Sequence, residues 1–146
     1  MMQKGVEEFV YKEKLLALIT RAAALDSLQE RGESVMFVSP DHFPFQVGLH
    51  HRKKDEKVKA HFHKPFPELK NFPVQEFFYV VSGKVKFELH DEREQDRKVG
   101  EVVLGKGDTI ILNTGHAVTF LEEATKVVEL KQGPYRGRAE EKRDIA

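Results

Sequence analysis

The chain has 146 residues, with 24 Lys plus Arg against 24 Asp plus Glu, no Cys and no Trp; 40% of it is apolar and 33% charged. A chain of this length can bury one core without disulfides or structural zinc, and the lack of Cys excludes thiolate metal ribbons, thiol nucleophiles and disulfide frameworks. Balanced charge and a pI near 7.1 remove the general attraction to phosphate on which nucleic-acid binders rely, so no nucleic acid is expected as a partner.

The first eight residues contain no apolar h-region or small-residue cleavage site, and no apolar run approaches the roughly 20 residues that span a bilayer. The expectation is a cytoplasmic protein with no membrane partner. Residues 1–34 read as a partly helical N-terminal segment. Leu15, Leu18, Ile19, Ala22 and Leu25 fall at helical spacing around an Ala-rich centre. A helix is predicted over 22–30, while 15–20 fits either helix or edge strand.

The 11 Phe, ten of them from residue 35 onward, sit in short apolar runs cut by Gly, Pro, Asn and Asp, which is the punctuation of many short strands. Strands are predicted over 35–38, 45–51 and 58–63, followed by a Pro-rich loop over 64–75 that contains Pro65, Pro67 and Pro73. The clearest unit is the hairpin over 76–89. Val85, Phe87 and Leu89 share one face and Lys84, Lys86 and Glu88 the other. Ser82-Gly83 supplies the tight turn between its strands. A charged, solvated tip over 91–98 follows, then strands over 102–104, 109–112, 116–121 and 126–131. This spacing argues for an antiparallel sandwich or small barrel over 35–132. Residues 133–146 read as an extended, polar tail, mobile at 140–143.

Two of the seven His stand in Ala60-His61-Phe62-His63. On a strand, the i, i+2 spacing aims both rings at one face. Glu76 opens the next apolar strand on the side of Phe78 and Val80, a costly place for a carboxylate unless it is paired or binds a cation. Lys59 and Arg52 are the alternative ion-pair partners, and ordinary strand histidines are the alternative for His61 and His63. Imidazole and carboxylate without thiolate suit a divalent transition metal: Fe, Mn, Ni, Cu or Zn. His50 and His51 alternate across their strand and read as a surface pair before the charged 52–57 tip. His42 and His90 are assigned no role. Gln46 is the candidate for orienting a ligand or substrate hydroxyl from the interior of its strand.

His61-x-His63 and Glu76 followed by six residues and Gly83 resemble the first motif of the single-domain cupin family, whose two His and Glu are metal ligands. Asp55 stands where that motif has Gly, and twelve residues separate His63 from Glu76. Asn113-Thr114-Gly115 fits the frame of the second motif, with Asn113 in place of Pro. The motif's His position falls at Val118, and His116 stands two residues earlier, a shift that keeps strand parity.

The resemblance implies an all-β, double-stranded β-helix: a cupin-like jelly-roll barrel with a short N-terminal helical segment. It also implies one divalent transition metal held by His61, His63, Glu76 and His116. The runs Phe45-Gln46, Gln75-Glu76 and 131–135 are similar to a subset of small cupins from bacterial surface-polysaccharide gene neighbourhoods, which tilts the substrate toward sugars.

The implied activity is an isomerase, in which the cation stabilises an enediolate, or an oxygenase using dioxygen and a chelating substrate. The acid or base that would separate them is missing from the motif region. Other readings are a non-catalytic sugar or small-ligand binding and regulatory module, and a scaffold protein. Strands apolar on both faces need cover on both, so a homodimer is expected. The 64–75 loop is expected to border the pocket.

Overall fold

The computed structural model describes residues 3–70 and 74–146; Pro73 of the predicted loop lies outside the described residues. Among the described residues, twelve strands and two α-helices follow one another, with short 3-10 turns at Pro67–Leu69 and Glu92–Glu94. They are β1 (Val6–Tyr11), β2 (Lys14–Thr20), α1 (Ala23–Glu30), β3 (Val35–Phe37), β4 (Phe45–Arg52), β5 (Lys57–His63), β6 (Glu76–Ser82), β7 (Val85–Asp91), β8 (Arg97–Leu104), β9 (Thr109–Leu112), β10 (Gly115–Phe120), β11 (Thr125–Gln132), α2 (Arg138–Glu141) and β12 (Lys142–Asp144). Two five-stranded antiparallel sheets, ordered β12-β5-β10-β7-β8 and β3-β4-β11-β6-β9, form a jelly-roll barrel. The predicted all-β barrel is therefore the fold.

The inward rows of the two sheets meet in one core of Phe78, Val80, Val85, Phe87, Leu104, Leu112, Val118, Phe120 and Val127. Strict alternation builds it: Val85 and Phe87 of β7 point in, while Lys86 between them is only half-buried. A second cluster, of Val6, Ala24, Leu25, Leu28 and Leu49, fixes α1 against the outer face of β4. Ala24 and Leu28 are one helical turn apart and both fully buried, so the helix presents a single apolar stripe. No helix among the described residues is long and apolar enough to cross a membrane.

Residues 15–20 form a strand, paired with β1 in a separate two-stranded sheet. Their apolar side chains are half-buried or exposed and none is fully buried, so no core face enforces a helical period. The tail differs from expectation as well. Instead of running extended to its end, it makes the short α2, and β12 then pairs with β5 in the register Lys142↔His63. The charged 91–98 segment is shorter as a tip than predicted, because β8 already begins at Arg97.

The predicted 76–89 hairpin does not form: β6 pairs with β11 and β9 in one sheet and β7 with β10 and β8 in the other, so the tight turn at Ser82-Gly83 carries the chain from one sheet to the other. Gly83 has φ +86°, and a Cβ there would stand 2.3 Å from Thr125 Oγ1 and 2.8 Å from its backbone Cα. Gly83→Ala is expected to lower stability by about 1–3 kcal/mol through backbone strain and this collision. Urea denaturation measures it, and an unchanged midpoint would contradict the reading.

Candidate metal centre

Three imidazoles reach the barrel interior from one sheet and one carboxylate from the other. His61 and His63 alternate inward on β5, and β10 places His116 directly opposite His61. Glu76 comes from β6 across the barrel, 4% exposed. One ligand atom from each of the four side chains lies within 4.8 Å of the other three. The two-residue displacement of His116 is thus absorbed, with a register irregularity between His116 and Val118.

The second nitrogens decide what the rings can do. His61 Nδ1 lies 2.6 Å from Lys59 O and His116 Nδ1 2.9 Å from Thr114 O. A carbonyl only accepts, so both Nδ1 atoms donate and each ring, in its neutral form, keeps the Nε2 lone pair facing inward. His61 Nε2 and His63 Nε2 are 3.1 Å apart. Glu76 Oε1 touches His63 Nε2 and lies 3.4 Å from His116 Nε2, yet is buried without a hydrogen bond of proper geometry. Converging lone pairs with an orphaned carboxylate oxygen among them fit a divalent cation.

The electrostatics agree. Burial, then the adjacent His116 charge, pushes the His61 pKa down to about 3, so the ring is neutral. Burial works against ionisation of Glu76, but the imidazoles of His116 and His63 outweigh it and hold the carboxyl well below its usual range. Burial lowers His116, but Glu76 more than offsets it and its pKa is raised. The alternative partners of Glu76 are engaged elsewhere: Lys59 with Asp144 at 3.6 Å and Arg52 with Glu56 at 3.1 Å.

A cavity of about 140 Å3 adjoins the four side chains and is also lined by His50, Glu129, Lys131 and Lys142. His50 is therefore no surface residue; both His50 and His51 are buried. His51 Nδ1 donates to Leu25 O and ties α1 to the barrel. His50 Nδ1 accepts from Arg52 Nε at 3.2 Å, which leaves its proton on Nε2 to be donated to Glu129 Oε1 at 2.9 Å. His90, unassigned from sequence, is buried and bonds Asp96 O through Nδ1.

Gln46 is buried, but its amide is committed. Nε2 donates to Pro40 O at 2.9 Å and Phe43 O at 3.1 Å, and Oε1 accepts from Ser39 Oγ. It secures the β3–β4 connection beside a second cavity of about 330 Å3. That second cavity takes one wall from the tail, through Tyr135, Arg138, Glu141 and Lys142. The described part of the 64–75 loop does not line the 140 Å3 cavity; Lys64, Pro65 and Val74 instead border another space of about 840 Å3 that His63 also touches.

Sequence reasoning missed Glu129, Lys131, Lys142 and His50. The first two were readable by parity, since Val127, Glu129 and Lys131 alternate on one face of β11.

No family model matches the chain, and no curated protein matches it. Solved structures similar to it include Bacillus subtilis oxalate decarboxylase at pH 4.6 (TM-score 0.58, 16% identity, covering 76% of this chain and 27% of that one). The coconut allergen cocosin aligns with TM-score 0.53 and 14% identity over 68% of this chain and 26% of its own. A further Bacillus subtilis oxalate decarboxylase structure, described for its Mn(II) centres, aligns with TM-score 0.55 and 17% identity over 73% of this chain and 27% of that one. The chain spans about a quarter of the length of these neighbours. Such likeness at low identity is a likeness of fold, and the fold it gives this chain is the cupin jelly roll.

Proposed function

We propose that His61, His63, Glu76 and His116 hold one divalent transition metal and that the centre acts on a small polar molecule, such as a sugar derivative, bound in the adjoining cavity. The observation that carries this is the convergence of three imidazoles and a buried carboxylate, two of the rings locked by backbone carbonyls with Nε2 inward. A divalent ion there supplies Lewis-acid polarisation of a carbonyl or hydroxyl oxygen.

Glu129 favours isomerisation over oxygenation. The chain Arg52–His50–Glu129 holds this carboxylate, 6% exposed, in the same cavity, where it can take a proton from a carbon beside a polarised carbonyl and return it to the neighbouring one. This is the acid or base that the motif region lacks. The sugar preference is supported by the 131–135 run that carries the polysaccharide-subset resemblance, since Lys131 and Tyr135 both line the 330 Å3 cavity.

Metal analysis of protein purified without chelator or His tag is expected to find one divalent metal per chain. His61→Ala should nearly abolish binding and His116→Ala should weaken it about ten-fold or more. Wild-type metal affinity in both variants would remove the metal centre and leave a metal-free binding module.

We further propose a homodimer through the outer face of the β3-β4-β11-β6-β9 sheet. Phe45 and Ile111, 62% and 64% exposed, form an apolar row there with Phe77 and Leu130 on the strands between them. An uncovered row of this kind marks an interaction surface. Light scattering at micromolar concentration is expected to give twice the 16.8 kDa chain mass and Ile111→Lys a monomer. A monomeric wild type would refute the assembly.

A further inference from the structure

Lys131 and Lys142 stand on different strands, and each flanks a residue of the His/Glu cluster. On β11, Lys131 is the cross-strand neighbour of Glu76; on β12, Lys142 is the cross-strand neighbour of His63. Residues in register share a face, so both ammonium groups turn toward the cluster. Both line the 140 Å3 cavity and the 330 Å3 cavity beside it, which places them at the neck between the two.

Neither lysine has an ion pair or a side-chain hydrogen bond among the described residues. Lys131 is 8% exposed, and its Nζ lies 4.6 Å from the centroid of the Phe37 ring. A cation over an aromatic face is weakly held beside what a carboxylate would give. Gly48 permits the contact, since a Cβ there would stand 2.9 Å from the Phe37 ring. Of the acids on the tail, Glu141 Oε1 faces Arg136, and Asp144 is shared by Lys59 and Arg138.

Surface lysines of the chain do find partners, Lys98 with Glu101 and Lys126 with Asp26, each at 2.5 Å. Burying an ammonium is expensive unless a charge answers it, and at this neck Lys131 is buried and Lys142 half-buried. Their two charges balance those of Glu76 and Glu129, Arg52 being tied to Glu56, so a divalent ion at the cluster leaves the cavity positive and calls for an anion.

We propose that the molecule bound here carries a carboxylate, and that Lys131 and Lys142 hold it at the neck between the two cavities. This rests on the small-molecule reading above and narrows it to organic acids. The cavity beside the cluster is too small for a large anion, and the polar wall of the outer one, with Asp41, Tyr135 and Glu141, suits the hydroxyl groups of the remainder.

Titration calorimetry of the full chain, with and without divalent metal, tests it with glycolate, its uncharged amide glycolamide, and inorganic phosphate as probes. Glycolate is expected to bind at least ten-fold more tightly than glycolamide. Lys142→Met and Lys131→Met should each weaken glycolate ten-fold or more while metal content stays that of the wild type. Lys142→Arg should retain binding, because the charge and not the chain packing is what matters. If the buried Lys131→Met variant does not fold, Lys142→Met on the edge strand decides the matter. Equal affinity for glycolate and glycolamide, or undiminished glycolate binding in Lys142→Met, overturns the proposal; tighter binding of phosphate than of glycolate overturns the carboxylate. Failure of the metal centre is read separately, as absent metal before any probe is added.

Discussion

A single carboxylate surrounded by three imidazoles inside a β-barrel is the constraint to which the rest of this structure answers. Glu76 is ionised at a depth where an isolated carboxylate would not be. Its companions come from the opposite sheet, so both sheets must be closed over one another in a fixed register before the cluster exists. The inward rows meet that demand by sharing a gradient. Glu76, Phe78 and Val80 on β6, Lys131, Glu129 and Val127 on β11, and His116, Val118 and Phe120 on β10 all run from polar to apolar toward the same end. Phe78, Phe87 and Phe120 fill that end.

The loop and the tail serve the cluster by holding each other. Arg136 lays its guanidinium 3.6 Å from the centroid of the Phe66 ring and donates to Lys64 O and Pro65 O, while its backbone N–H donates to Glu141 Oε1. Lys64 N donates back to Glu141 O. The insertion after His63 is thereby an anchorage for the tail. Through that anchorage β12 is aligned with β5, and Lys142 stands beside His63.

Alternation made the barrel legible, and the same rule explains what was not. Strands β6, β7 and β9 to β11 carry apolar residues on an inward row, which shows as a period of two, whereas β4 and β5 turn mostly polar side chains inward. Strand β1 buries only Val6 and β12 consists of Lys142, Arg143 and Asp144, so neither has an apolar row to read. His61 and His63 stood out by their strand spacing and Glu76 by the cost of a carboxylate among apolar residues, while His116 was legible only through the cupin resemblance. Glu129 and Lys131 obeyed the same parity as Val127, but charges alternating on a strand also describe a solvated face. Only the second sheet, closing over them, turns that face inward. His50 was misjudged for the same reason: the charged tip after it suggested a surface, whereas β3 and β11 flank it on both sides.

The interior divides into groups that are fixed and groups that are free. Carbonyls of Lys59 and Thr114 set the rings of His61 and His116, and Arg52 sets His50, which in turn sets Glu129. Each is preorganised by a partner on its own strand or the next, as a reacting centre requires. Among the described residues Lys131 and Lys142 have no such hydrogen-bonding partner, Lys131 resting over the Phe37 ring. Rigid donors at the bottom of the barrel and cations at its neck match the proposed division between metal chemistry and anion recognition. Fold likeness at 14–17% identity leaves that division untouched, because it is written in a few inward polar positions and not in the strands that carry them.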